Sequence, residues 1–381
     1  MASKCFLVLF IFISSVYAFS RASIARTSGL SSGSLVSTHH SVLQNVGAQT
    51  SFETSLNSVG ADVVASASPS PKKSIGELGW RWITGVSLGA LCTMWISSPN
   101  VVFTSIFVLP LILAQQEYYT LVTATNVKPT RKTSMAFSII SYLGALFFPY
   151  YHEMVVPIGA IYSMLVLLLS KQHSPSINEI TTSFFGLLYL GYLPSFWIRL
   201  KASSLMSATG TTALASRLGS IAWLGAEKWT LGAIATWFTW TSIVAADVGA
   251  YFFGKAFGKT KLANISAAAG AASPNKSVEG FYGGMLCCMG VAMWGANVMR
   301  WPMPIVTGAA YGLLLSTISL VGDLTASMMK RDAKMKDSGN ILPGHGGLLD
   351  RIDSYVFTAP IAYIYITLLL PMIKVQMGVA V

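Results

Sequence analysis

Apolar residues run in long blocks along this chain, and polar ones collect in the gaps. Nine blocks stand out: Trp80–Ile96, Val101–Tyr119, Met135–Tyr151, Met154–Leu169, Ile177–Ile198, Leu231–Phe253, Gly283–Val298, Pro304–Val321 and Tyr355–Ile373. A helix needs about 20 residues to cross a bilayer, with a range of about 17–25. The pattern therefore predicts an all-α, polytopic integral membrane protein with about nine transmembrane helices, several of them at the short end. Between Lys201 and Lys228 the chain is rich in Ser, Ala, Thr and Gly with scattered charge, which reads as a loop or interfacial segment. No internal repeat is evident.

The first 71 residues follow a different pattern. Residues 1–18 hold one lysine (Lys4), the apolar run Cys5–Ile13 and then Ser-Ser-Val-Tyr-Ala, the layout of a secretory signal peptide. Phe19–Pro71 is Ser/Thr/Ala-rich, carries Arg21 and Arg26, and has no acid before Glu53, which is a transit-peptide composition. A signal peptide followed by a transit peptide resembles the bipartite leader of proteins sent to plastids of secondary endosymbiotic origin, and Ala18-Phe19 resembles the junction of such leaders. The expected location is a plastid membrane. The competing reading is a signal anchor with a disordered tail, in the ER membrane. Either way the leader is expected to be disordered. The organisation expected is a leader over 1–71, an N-terminal transmembrane region over 72–230 and a C-terminal transmembrane region over 231–381.

Composition agrees with the blocks. Hydrophobic residues make up 53% and charged ones 10%, with a mean hydropathy of +0.59. A soluble domain carries about 25% charge. The net charge of +11 raises the question of nucleic acid, but the basic residues form no stripe interleaved with aromatics, so no nucleic-acid partner is expected. The cysteines Cys5, Cys92, Cys287 and Cys288 form neither a CxxC nor a His/Cys cluster, which argues against a disulfide framework or a zinc site. Basic residues orient the chain. With nine crossings, Lys72, Lys73, Arg81, Lys128, Arg131, Lys132, Lys171, Lys255, Lys259, Lys261, Lys276 and the Lys330–Arg351 group fall on one face. Arg199, Lys201, Arg217, Lys228, Arg300 and Lys374 fall on the other.

One gap is unlike the others. Ser327–Asp353 reads SMMKRDAKMKDSGNILPGHGGLLDRID. The chain has fourteen acids in all, and Asp323, Asp332, Asp337, Asp350 and Asp353 lie here or just upstream. Lys330, Arg331, Lys334, Lys336 and Arg351 are interleaved with them. Carboxylates suit Mg²⁺, and Lys/Arg suit phosphate oxygens, so the mixture fits a metal and polyphosphate site. A solvated loop between two membrane helices would also be charged, but it would not need Pro343-Gly344-His345-Gly346-Gly347.

The same segment closely resembles the signature of phosphatidate cytidylyltransferases (CDP-diacylglycerol synthases). The matching residues are Ser327, Lys330-Arg331, Lys336-Asp337, His345-Gly346-Gly347, Asp350-Arg351 and Asp353. A second element, Ser273-Pro274-Asn275-Lys276-Ser277-Val278-Glu279-Gly280 followed by Gly283-Gly284, is similar to the family's Ser-Pro-Lys-Lys-Thr-Trp-Glu-Gly. It departs at Asn275, Ser277 and Val278, with one basic group fewer. A third match is Asp247 with Ala250-Tyr251, Gly254 and Phe257-Gly258. The resemblance implies CTP and membrane-borne phosphatidate as substrates, CDP-diacylglycerol and pyrophosphate as products, and Mg²⁺ held by Asp323 and Asp350. It puts Lys330, Arg331, Lys336, Asp337, His345, Arg351 and Asp353 in the catalytic group. Asp247, Ser273, Lys276, Glu279, Gly346 and Gly347 go to substrate binding, and a homodimer is among the expected assemblies. Glu117, a lone acid in an apolar run, is either a packing partner or a catalytic group. A CTP-dependent polyprenol or phytol kinase is the nearest alternative activity. A transporter is the alternative of another class, but it would spread its charges at mid-bilayer.

Overall fold

The computed structural model describes residues 87, 89–170, 174–203, 229–339 and 346–378. The leader over 1–71 and His345 lie outside the described residues. Residues 89–96 are helical. After them come α1 (Asn100–Ala124), α2 (Arg131–Phe147), a 3₁₀ turn (His152–Met154) running into α3 (Val155–Ser170), and α4 (Ile177–Gly186). A π-helical stretch (Leu187–Tyr192) joins α4 to α5 (Ser195–Ala202). The second half holds α6 (Leu231–Phe257), the short α7 (Ala267–Ala272), α8 (Val278–Val298), α9 (Pro304–Asp332) and α10 (Leu349–Ile364). A further π turn (Tyr365–Leu369) leads to α11 (Leu370–Gln376). Among the described residues there is no strand, only an isolated antiparallel pairing of Lys261 with Ser277.

Among the described residues, six helical segments are long and apolar enough to cross a membrane: Asn100–Ala124, His152–Leu169, Leu231–Phe257, Val278–Val298, Pro304–Asp332 and Leu349–Gln376. They account for six of the nine blocks. The block at Trp80–Ile96 is only partly described, with residues 80–86 and 88 outside the described residues. Of the other two, α2 has 17 residues, about 25 Å of helix, and the block Ile177–Ile198 is interrupted by a turn at Leu193-Pro194. Water cannot satisfy backbone groups inside a bilayer, so helices that bond internally are the expected solution. Ile158, Ile161 and Leu168 on α3, and Ile305 and Val306 on α9, are exposed. Such side chains are at home against lipid rather than water.

Small residues let the later helices approach closely. Gly280 and Gly284 are four apart on α8, and a Cβ at either would press on the α6 backbone at Ala250 or Ala246. Gly308 and Gly312 do the same for α9 against α8 at Met293 and Met289. This small-xxx-small spacing replaces the hydrophobic driving force that lipid removes. The backbone of α9 at Gly322 also lies directly against the carbonyl of Asp353 on α10. That contact brings the two acidic helix segments of the charged motif side by side.

The first half is pinned to itself by side chains that reach backbone carbonyls. Gln115 Nε2 donates to Gly186 O at 3.1 Å, Tyr118 to Thr182 O at 3.0 Å and Ser134 to Ser183 O at 3.1 Å. Farther along the helices, Trp95, Phe103, Phe107, Trp197 and Trp240 form an aromatic core. Trp197 Nε1 ties it to α10 by donating to Tyr355 O at 3.0 Å.

Candidate active site

The C-terminal end of α9 starts the site. Ala333 caps the helix, and Lys334 adopts a left-handed φ of 55°. Met335 N then donates back to Lys330 O at 2.8 Å, the bond that reverses a chain after a helix. The segment after it, Lys336–Gly339, turns toward the N-terminus of α10. There Ser338 meets Asp350: its amide donates to Asp350 Oδ2 at 3.0 Å and its hydroxyl lies 3.2 Å from the same oxygen.

Two ion pairs define the centre, with Lys330, Asp323 and Asp350 buried and Lys276 partly exposed. Lys276 Nζ lies 2.6 Å from Asp323 Oδ2, and Lys330 Nζ lies 2.5 Å from Asp350 Oδ1. Asp323 also accepts from Ser327 Oγ at 3.4 Å. Gly347 N donates to Asp350 Oδ2 at 3.3 Å. Lys276 comes from the loop before α8, Asp323 and Lys330 from α9, and Asp350 from the first turn of α10. Three stretches far apart in sequence therefore converge. Buried charges are retained only when paired and hydrogen-bonded, because desolvation otherwise costs several kcal/mol each.

Glu117 completes the frame from the first half of the chain. It is buried on α1, and its carboxylate accepts from Leu348 N and Leu349 N, both at 2.9 Å. Ser338 Oγ donates to it at 2.7 Å. α10 has no side-chain cap of its own, so Glu117 serves as its N-cap from another helix. A negative group there also suits the positive end of the helix dipole. The turn must be bare for this to happen. Gly346 has φ +78°, and a Cβ on Gly347 would overlap Ser338 Oγ, Glu117 and Gly339 N. The sequence left Glu117 open between packing and catalysis. The structure makes it the support of the turn.

The remaining candidates divide. Asp353 is fully buried, with Oδ1 accepting Ser354 N at 2.8 Å, and Arg351 is also buried. Asp247 lies on α6. Arg331, Lys336 and Asp337 are exposed; they flank the site rather than line its buried centre. Glu279 accepts Thr260 N at 3.0 and 3.1 Å. Together with Leu262 N→Lys276 O and Val278 N→Thr260 O, both 2.9 Å, it closes the base of the loop that carries Lys276. Ser273 follows the last turn of α7 in that loop. Sequence reasoning passed over Ser338, whose hydroxyl bridges two of the acids; a lone serine in a charged loop carries no visible signal.

A family model described as the cytidylyltransferase family matches residues 79–369. The chain belongs to the cytidylyltransferase family. A phosphatidate cytidylyltransferase of Synechocystis sp. is 40% identical over 274 residues, which cover 71% of this chain and 90% of the relative. The Arabidopsis thaliana protein named phosphatidate cytidylyltransferase 4, chloroplastic, is 33% identical over 301 residues, covering 77% of this chain and 75% of its own length. A Bacillus subtilis phosphatidate cytidylyltransferase is 45% identical over 127 residues, 33% of this chain and 45% of that protein. The family match therefore takes in both halves of the site, from Glu117 to Asp353.

Proposed function

We infer that this membrane enzyme transfers CMP from CTP to phosphatidate, leaving CDP-diacylglycerol in the bilayer for phospholipid synthesis and releasing pyrophosphate. The observation that carries the reading is the convergence of Lys276–Asp323 and Lys330–Asp350 beside a glycine turn. Its relatives, over most of their length, are phosphatidate cytidylyltransferases.

The chemistry needs charge management more than a nucleophile on the protein. CTP and phosphatidate are both polyanions, and close approach is repulsive at low effective dielectric. In the free protein Lys276 and Lys330 neutralise the two aspartates. When phosphates arrive, the same ammonium groups are placed to turn toward phosphate oxygens. A phosphate oxygen of phosphatidate then attacks the α-phosphorus of CTP. A new P–O bond forms, the α–β bridging bond breaks, and pyrophosphate leaves with that electron pair. Backbone amides of the Gly346-Gly347 turn can approach phosphate closely because no side chain intervenes.

Mg²⁺ fits the donor set. Asp323 and Asp350 supply hard carboxylate oxygens. That suits an ion that shares its coordination with waters and substrate phosphates. When bound, it would offset phosphate charge, with Asp323 and Asp350 holding it. We place the enzyme in a plastid membrane, on the order of the two leader elements and the chloroplastic relatives, and include a homodimer as the assembly to check by mass in detergent. Purified protein given CTP with phosphatidate, phytol or dolichol tests the reading. Product from phosphatidate supports it, and product from an alcohol alone would replace it with a lipid kinase.

A further inference from the structure

We propose that Tyr189 donates a hydrogen bond from its phenol to the phosphomonoester of the lipid substrate. The proposal rests on the transferase reading above and adds a residue that no signature element contains. Tyr189 sits in the π-helical stretch Leu187–Tyr192, a geometry that recurs at functional sites because it re-aims side chains within a helix. Its ring is stacked on Phe185, with centroids 5.1 Å apart at 19°. It also packs against Phe357 of α10, at 5.3 Å and 44°. The residue is fully buried.

The hydroxyl has no hydrogen-bond partner. The other tyrosines around it do: Tyr118 donates to Thr182 O and Tyr119 to Ser183 O, and Tyr142 donates to Leu190 O. A buried hydroxyl left unmade is costly, so it persists where something else is meant to accept it. The charged groups in electrostatic range of Tyr189 include Asp353, Asp323 and Asp350. Tyr189 also shares a buried cluster with Leu348 and Leu349, the residues just before Asp350, so the phenol lies near the carboxylate centre yet bonds to none of its members. Asp323, Asp350 and Asp353 are, like the phenol, buried.

Depth decides which phosphate. Phe357 lies one turn past Asp353 and seven residues past Asp350 along α10, about 10 Å from the helix start. Lys276 and Lys330 approach from the loop side. Tyr189 thus borders the centre on its membrane side, where the acceptor lipid must enter, away from the loops that face a soluble nucleotide.

Tyr189→Phe keeps the ring and its two stacking partners and removes only the hydroxyl. It should raise KM for phosphatidate about tenfold, equivalent to about 1.4 kcal/mol, and leave KM for CTP within about twofold. The melting temperature should not fall, because an unpaired buried group has been removed. Binding of phosphatidate in mixed micelles, followed by titration calorimetry without CTP, should weaken by the same factor. That arm needs no turnover, so it upholds the contact even if the transfer assignment fails in the wild type. Unchanged phosphatidate binding, a rise in KM for CTP alone, or a fall in melting temperature with no change in either KM would each overturn the proposal.

Discussion

Glu117→Gln tests how the site is held together. The substitution keeps the side-chain volume and removes the charge that three donors share: Leu348 N, Leu349 N and Ser338 Oγ. Hydrogen bonds to a charged group contribute about 1.5–3 kcal/mol each. A glutamine offers one oxygen to the two amides, and its NH₂ faces at least one donor. Losing one such bond and weakening a second gives a local cost of about 3 kcal/mol. That cost falls on the turn that positions Asp350 and its partner Lys330. If the turn leaves its working geometry to that extent, kcat/KM for CDP-diacylglycerol synthesis should fall about 10²-fold. The assay is transfer of labelled CMP into lipid, with a melting curve on the same sample. Glu117→Asp should be intermediate, since it keeps the charge but shortens the reach. Glu117→Gln activity within threefold of wild type, in protein that folds normally, would refute the capping argument.

Two other perturbations follow from the same structure and from the leader. Asp323→Asn and Asp350→Asn each remove a charge of the proposed metal pair and take a lysine's partner away, the buried Lys330 in the second case. Turnover should drop about 10²-fold or more, consistent with about 3 kcal/mol of lost electrostatic stabilisation. The exposed Asp332→Asn should stay near wild type, and a reversed ranking in the transfer assay would move the centre elsewhere. Residues 1–71 fused to a fluorescent protein should reach the plastid in a host with secondary plastids, and Phe19→Ala should stall them before import. Retention of the unmodified fusion in the ER, seen by microscopy, would make the enzyme an ER protein.

How much could be read from the chain depended on how locally each feature is encoded. The paired signs between Ser327 and Asp353, the Gly346-Gly347 turn and the second element around Lys276 are contiguous strings. Their convergence follows from hydrophobic blocks that return them to one side of the membrane. The partners inside the site were another matter. Nothing in the sequence says that Lys276 takes Asp323 while Lys330 takes Asp350. That pairing depends on the approach of α8 and α9 through Gly308 and Gly312. Glu117 was visible as an odd acid, but its target is a backbone turn more than two hundred residues away, and amides carry no residue-type signal. Tyr189 lay hidden inside an apolar block because the π stretch that turns it arises from packing rather than from composition. The turn at Leu193-Pro194 just after that stretch breaks a block that, by length alone, resembled one continuous crossing.

The central claim is that phosphorus is attacked at the α position of CTP by a lipid phosphate, beside the two lysine–aspartate pairs. It is tested most directly by supplying phosphatidate with CTP labelled on either the α- or the γ-phosphate, in the presence of Mg²⁺, and counting label in the extracted lipid. The account predicts α-label in CDP-diacylglycerol and γ-label only in released pyrophosphate. Label from the γ-phosphate in the lipid, with none from the α-phosphate, would mean phosphoryl transfer by a kinase and would contradict it.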